Sequence, residues 1–171
     1  MTKIPPLLPA EVLARVIRLA RLDGLSLLGI AGFFALLSAA GGDFVGAIAG
    51  LLVAGAGALE LHGKTLLEHA DARGTSWLVN SQLVALVSIL AYCAVRIAHV
   101  QLPPLPDEVR SVIEFDAAQV GMTAEHFMLT AYRGGFELVA LVSVFYQGGM
   151  ALYYLRRRAA VRRAFAEDAA E

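Results

Sequence analysis

The side chains equipped for chemistry in this chain lie mostly inside apolar surroundings, which makes their spacing informative. Ser81, Ala85, Ser88, Tyr92, Arg96 and His99 are separated by 4, 3, 4, 4 and 3 residues. At about 100° per residue, that spacing predicts a small-and-polar stripe along one face of a helix. Such a stripe in a membrane should face protein or water. Arg96 is its costliest member, since an unpaired charge at the bilayer centre costs about 2.5–3.5 kcal/mol even on the mildest scales. Glu137 enters a later apolar run from the same side, so an Arg96–Glu137 pair is the expected central polar contact. The alternative is that each residue snorkels separately to the nearby interface. Ser143, Gln147 and Tyr154, spaced 4 and 7, share a face of that later helix. With the Ser81, Ser88, Tyr92 and His99 stripe they would line a polar cavity, or they would act as interhelical hydrogen bonds worth about 0.6 kcal/mol each. The second role is favoured.

The remaining reactive residue types offer less. His62 and His69 are seven apart, about 10 Å along a helix axis. That is too far for two ligands of one Zn²⁺, each about 2.0–2.1 Å from the metal. No HExxH spacing, Walker-type loop, dinucleotide glycine fingerprint, nucleophile elbow or paired catalytic carboxylate is found. Enzymatic activity, a metal and a cofactor are therefore not expected. Cys93 is the one cysteine, set in an apolar run, and reads as a small core residue with no disulfide available to it.

The elements that must position these residues are membrane spans. Of the 171 residues 58% are hydrophobic and only 17% charged, with mean hydropathy +0.65; a soluble domain averages about 45–50% and about 25%. Intrinsic disorder is excluded by the same numbers. Net charge is −1 and the basic residues cluster at the two ends, so nucleic acid is not an expected partner. Residues 25–59 carry a single charge, Asp43, which follows Gly41-Gly42. As one helix they would run about 50 Å, well past a hydrocarbon core of about 30 Å, so a hairpin broken at 41–43 is expected.

The fold class is therefore an all-α bundle of four transmembrane helices, at about 22–40, 44–61, 77–98 and 136–155, with an external loop at 99–135. A basic-then-acidic tail, 156–171, follows the last span. With both termini cytoplasmic, eleven of the fourteen Lys and Arg lie inside, as positively charged segments resist translocation. A signal-peptide reading of residues 1–40 is disfavoured, because cleavage would strip the second span of its hairpin partner. Residues 1–21 read as a cytoplasmic amphipathic leader lying at the interface, with Arg15, Arg18 and Arg21, like Arg156–Arg158, directed at anionic headgroups. The alternative is that they simply extend the first span. In the external loop, Val109, Val112, Ile113 and Val120 suggest a surface helix, and Thr123 suits the cap of another that reaches the fourth span through a Gly134-Gly135 hinge.

Gly42, Gly46, Gly50, Ala54 and Ala58 recur every four residues, a helix-packing face that lets a neighbouring backbone approach closely. Its partner is the first span of the same chain or a second subunit. Sparse polar content and ample packing faces favour a non-enzymatic accessory or assembly subunit of a larger membrane complex. The alternative is a homo-oligomeric small transporter or channel subunit with a polar path between spans three and four. Arginine outnumbers lysine 12 to 2, which suggests a GC-rich bacterial genome and hence an inner cell membrane.

Overall fold

A computed structural model describes residues 8–100, 102 and 106–169. These form five helices and, among the described residues, no strand: α1 (Pro9–Ala40), α2 (Phe44–Glu68), α3 (Gly74–Ala98), α4 (Asp107–Gln119) and α5 (Ala124–Asp168). All but α4 are long and apolar enough to cross a membrane, and their outward faces carry side chains such as Phe33, Ile48, Leu51, Val87 and Phe145 in the open. The chain is an all-α, multi-pass membrane protein.

The expected break at 41–43 is where α1 and α2 meet. Gly42 takes φ +77°, a conformation that costs a glycine little. Asp43 caps α2, its carboxylate accepting from the Gly46 N–H at 3.0 Å. At the opposite end, the α2–α3 turn is closed by Arg73, whose guanidinium donates to Asp71 at 2.7–3.1 Å. Those hydrogen bonds hold the half-exposed Asp71 carboxyl below the usual carboxylate range. Pro9 and Asp168 lie at this second end too, so the molecule has a hairpin end and a terminal end.

The four long helices form an antiparallel ring in which α1 packs on α2, α2 on α3, α3 on α5 and α5 back on α1. The ring is not equally closed along its length. α1 meets α5 chiefly through Pro9–Ser26; beyond that, a π-helical turn at Leu27–Ala31 and the following Gly32–Ala40 pack on α2. The terminal half is sealed instead by Val12, Val16, Ala20, Leu67, Leu78, Tyr154 and Val161.

Glycines set how closely the first three helices approach. A methyl group on Gly57 would stand 2.6 Å from Leu28 N and 2.7 Å from Gly24 O, and one on Gly74 would stand 2.5 Å from Gly63 O. These are backbone-to-backbone contacts that no side chain could enter. The four-residue ladder is used in part: Gly50 abuts Ala35 and Ala31, and Gly46 abuts Ser38, so this face serves the first span of the same chain. Ala54 is buried, but Gly42 belongs to the turn and Ala58 is exposed. A strict four-residue step advances 400° and so drifts about 40° each time. By Ala58 the row has left the interface, and Gly57 takes its place.

Two boundaries differ from the sequence expectation. Residues 9–21 are not a separate interfacial leader but the first turns of α1, because Val12, Val16 and Ala20 find an apolar partner in the extension of α5. The leader's first seven residues lie outside the described ones. α5 runs unbroken through Gly134-Gly135, and its start is capped as expected, Thr123 Oγ1 accepting from His126 N–H at 3.3 Å.

A candidate acidic site in the bundle interior

Where Gly24 meets Gly57, the residues beside that contact come together as a polar cluster. Asp23 precedes Gly24 on α1, Glu60 lies one turn after Gly57 on α2, and Gln82 approaches from α3. Gln82 Nε2 donates to Asp23 Oδ2 at 2.6 Å and to Glu60 Oε2 at 2.7 Å. α5 supplies two phenols: Tyr146 donates to Asp23 Oδ1 at 2.7 Å and Tyr154 to Glu60 Oε1 at 2.6 Å. Every membrane helix thus contributes. Glu60, Gln82 and Tyr154 are fully buried and Asp23 is 6% exposed.

Helix length fixes the depth. Asp23, Glu60 and Gln82 lie 17, 16 and 16 residues from the hairpin ends of their helices, in each case about 25 Å at 1.5 Å per residue. The cluster is therefore one layer of the bundle, nearer its terminal end than its hairpin end.

Its charge balance is unusual. All four carboxylate oxygens accept one hydrogen bond, and all four donors belong to neutral groups. The two oxygens bound to Gln82 Nε2 are at most about 5 Å apart. Two full negative charges at that separation repel by roughly 3 kcal/mol at an effective dielectric constant of 20, before any cost of removing them from water. A hydrogen bond to an ionised carboxylate returns about 1.5–3 kcal/mol, but none of these donors brings the positive charge that would neutralise the pair. Gln82 Oε1 is buried with no partner, which leaves one acceptor unused beside two acids.

A cavity of about 560 Å³ opens on this cluster. Asp23 and Tyr146 form its floor. Its walls are Leu27, Ile30 and Phe34 of α1, Ala49 and Val53 of α2, Ile89 and Tyr92 of α3, and Val139 of α5, and it reaches Ser38 and Gly46 toward the hairpin end. Its mouth is the gap between α1 and α5, where Ile30, Phe34, Val139 and Tyr146 are 48–60% exposed. The π-helical turn lines one wall; π turns recur at functional sites.

Arg96 is paired, but not with Glu137. Its guanidinium donates to Asp43 and sits 5.1 Å from the centre of the Tyr92 ring. The reason is angular: Phe136 stacks edge-on against Tyr92 at 5.7 Å, and Glu137, one residue or 100° further round α5, is exposed on the outside of the bundle. Asp43, held in place as the α2 cap, is the carboxylate within reach.

The rest of the stripe divides by depth. Ser81 and Ser88 are buried where α3 packs, their hydroxyls donating to the carbonyls of Leu78 and Val84 at 2.8 Å. Ser143 and Gln147 are buried on the facing side of α5. Of the stripe, Tyr92 lines the cavity that opens on the acid pair. His99 ends α3 in the open. His62 meets Trp77 edge-on at 5.1 Å, and His69 donates to the Thr65 carbonyl at 2.8 Å. Cys93 is buried.

Sequence reasoning missed the acid pair because Asp23 and Glu60 both fall at the edges of their apolar runs, where a charge reads as a boundary marker. One signal was available: Asp23 adjoins Gly24, and Gly57 precedes Glu60 by one turn. No protein-family model, curated protein or solved structure matches this chain.

Proposed function

We propose that the protein is a small, non-enzymatic transporter subunit of a bacterial inner membrane, both termini cytoplasmic, in which Asp23 and Glu60 take up and release protons. The observation that carries this reading is the pair itself: two carboxylates bridged by one carboxamide, buried in the interior of the bundle, with no basic side chain among their partners. A proton or a cation is the missing counter-charge. Gln82 suits both occupancies. As oriented, its NH₂ serves two ionised carboxylates; turned by half a rotation, its oxygen accepts from protonated ones. The cavity reaches the pair from the hairpin side, while Val16, Leu67 and Leu78 pack together on the terminal side.

The test is reconstitution into liposomes with a pH dye inside and an imposed pH gradient. Wild-type protein is expected to dissipate the gradient faster than empty vesicles, and Asp23→Asn and Glu60→Gln are expected to lose that flux while remaining folded. Wild-type vesicles no leakier than empty ones contradict the reading.

The second reading, an accessory subunit docking other membrane subunits or itself, is favoured by one surface. Glu137 is exposed on α5, with Gly134, Gly135, Gly148 and Gly149 open to approach on the same helix. In either case Arg15, Arg18 and Arg21, together with Arg156 and Arg158, are exposed near the terminal end, placed for anionic headgroups.

A further inference from the structure

The cavity and the acid pair together specify a ligand. We infer that the cavity binds lipophilic cations, an apolar or aromatic body carrying a protonated amine, with the ammonium on Asp23 and entry sideways from the lipid between α1 and α5. The inference rests on the proton-exchanging reading of the pair and names what competes with the proton there.

Three features converge on this class. The volume, about 560 Å³, lies within the roughly 300–1,000 Å³ of small-molecule sites. Its lining is aliphatic and aromatic except near the ends, and the acidic group it contains is Asp23, with no Lys, Arg or His on its wall. Fatty acids, phosphates and other anions would meet a carboxylate with nothing to neutralise them. A cation instead supplies the counter-charge the pair lacks, and the Tyr146 ring, bonded through its hydroxyl to Asp23, adds a face that attracts it.

The mouth decides the route. Ile30 and Phe34 on one side and Val139 and Tyr146 on the other are exposed side chains of membrane helices that separate at this level. A molecule already partitioned into the hydrocarbon layer can reach Asp23 without crossing a polar surface. When an ammonium arrives, a proton held by the pair leaves toward the hairpin end, and the charge at the site is balanced before and after. Binding should therefore weaken as pH falls, because the proton competes for the same carboxylates.

The probe is dansylcadaverine, an aromatic body with a free primary amine, tested against its N-acetyl derivative on full-length protein in phosphatidylcholine nanodiscs. The amine is expected to bind saturably, at least tenfold more tightly than the acetylated compound, and more weakly at low pH. Asp23→Asn should lose at least tenfold in affinity. Should that variant fail to fold, Val139→Trp fills the cavity mouth without touching the acids and should lose binding equally. Equal binding of the two compounds, or binding that survives Val139→Trp, overturns the inference. Absent binding alongside intact, Asp23-dependent proton flux overturns this inference and leaves the proposed function standing; absent binding with no flux overturns both.

Discussion

Tyr154 and Ser143 both sit buried on α5, yet they should differ sharply on substitution. Tyr154→Phe removes one of two donors to a buried carboxylate, and leaving such a group short of a partner costs about 1–3 kcal/mol. Ser143→Ala removes a hydroxyl from helix packing, worth about 0.6 kcal/mol in a membrane bundle. Thermal denaturation in detergent should separate the two. Arg96 offers a sharper test of pairing. A double-mutant cycle with Arg96→Met and Asp43→Asn is expected to return a coupling of about 1 kcal/mol or more, part-buried charge pairs exceeding the surface median. The same cycle with Glu137→Gln should return none. A coupling to Glu137 instead would restore the pair that spacing alone predicts.

At the scale of the helix, backbone approach is the property on which the site depends. Gly57→Ala places a methyl 2.6 Å from a backbone nitrogen and 2.7 Å from a backbone oxygen. Neither atom can move without displacing α1, so α1 must shift outward and carry Asp23 off Gln82. Gly55→Ala, two residues away in open space, should be neutral or stabilising by up to about 1 kcal/mol through helix propensity. Unfolding midpoints of the two variants check this; equal values would mean that α1 and α2 do not touch at Gly57. The contrast also shows how far pattern reading extends. The spans, the 41–43 break, the Thr123 cap and the small-residue face all follow from local rules of hydropathy, turn chemistry and periodicity. The acid cluster does not, because it depends on which faces of four helices meet, and a four-residue ladder drifts off the interface just where Gly57 takes over. Glu137 was misassigned for a related reason: depth can be counted along a run, whereas facing direction changes by 100° with each residue.

Over the whole molecule, the bundle is closed at one end and open at the other. The N-terminal turns of α1 pack on the extension of α5, and apolar side chains plug that end; toward the hairpin end α1 and α5 part, and the cavity fills the gap. The distribution of arginine predicts that the terminal end faces the cytoplasm, and the orientation can be measured. With Cys93→Ala as background, Ala118→Cys should react with a membrane-impermeant maleimide on intact cells, and Ala169→Cys only after lysis. The reverse pattern would invert the topology and turn the cavity to the cytoplasmic side.

A proton-exchanging role requires the Asp23–Glu60 pair to change its proton occupancy inside the bundle. Infrared difference spectroscopy on the reconstituted protein, stepped between acidic and alkaline pH, reads the protonated carboxyl stretch directly. The expected result is a pH-dependent carboxylic band from a dehydrated site, diminished in both Asp23→Asn and Glu60→Gln. A spectrum with no such band, or one unchanged by both substitutions, would show a pair that exchanges nothing and serves only to hold the helices together.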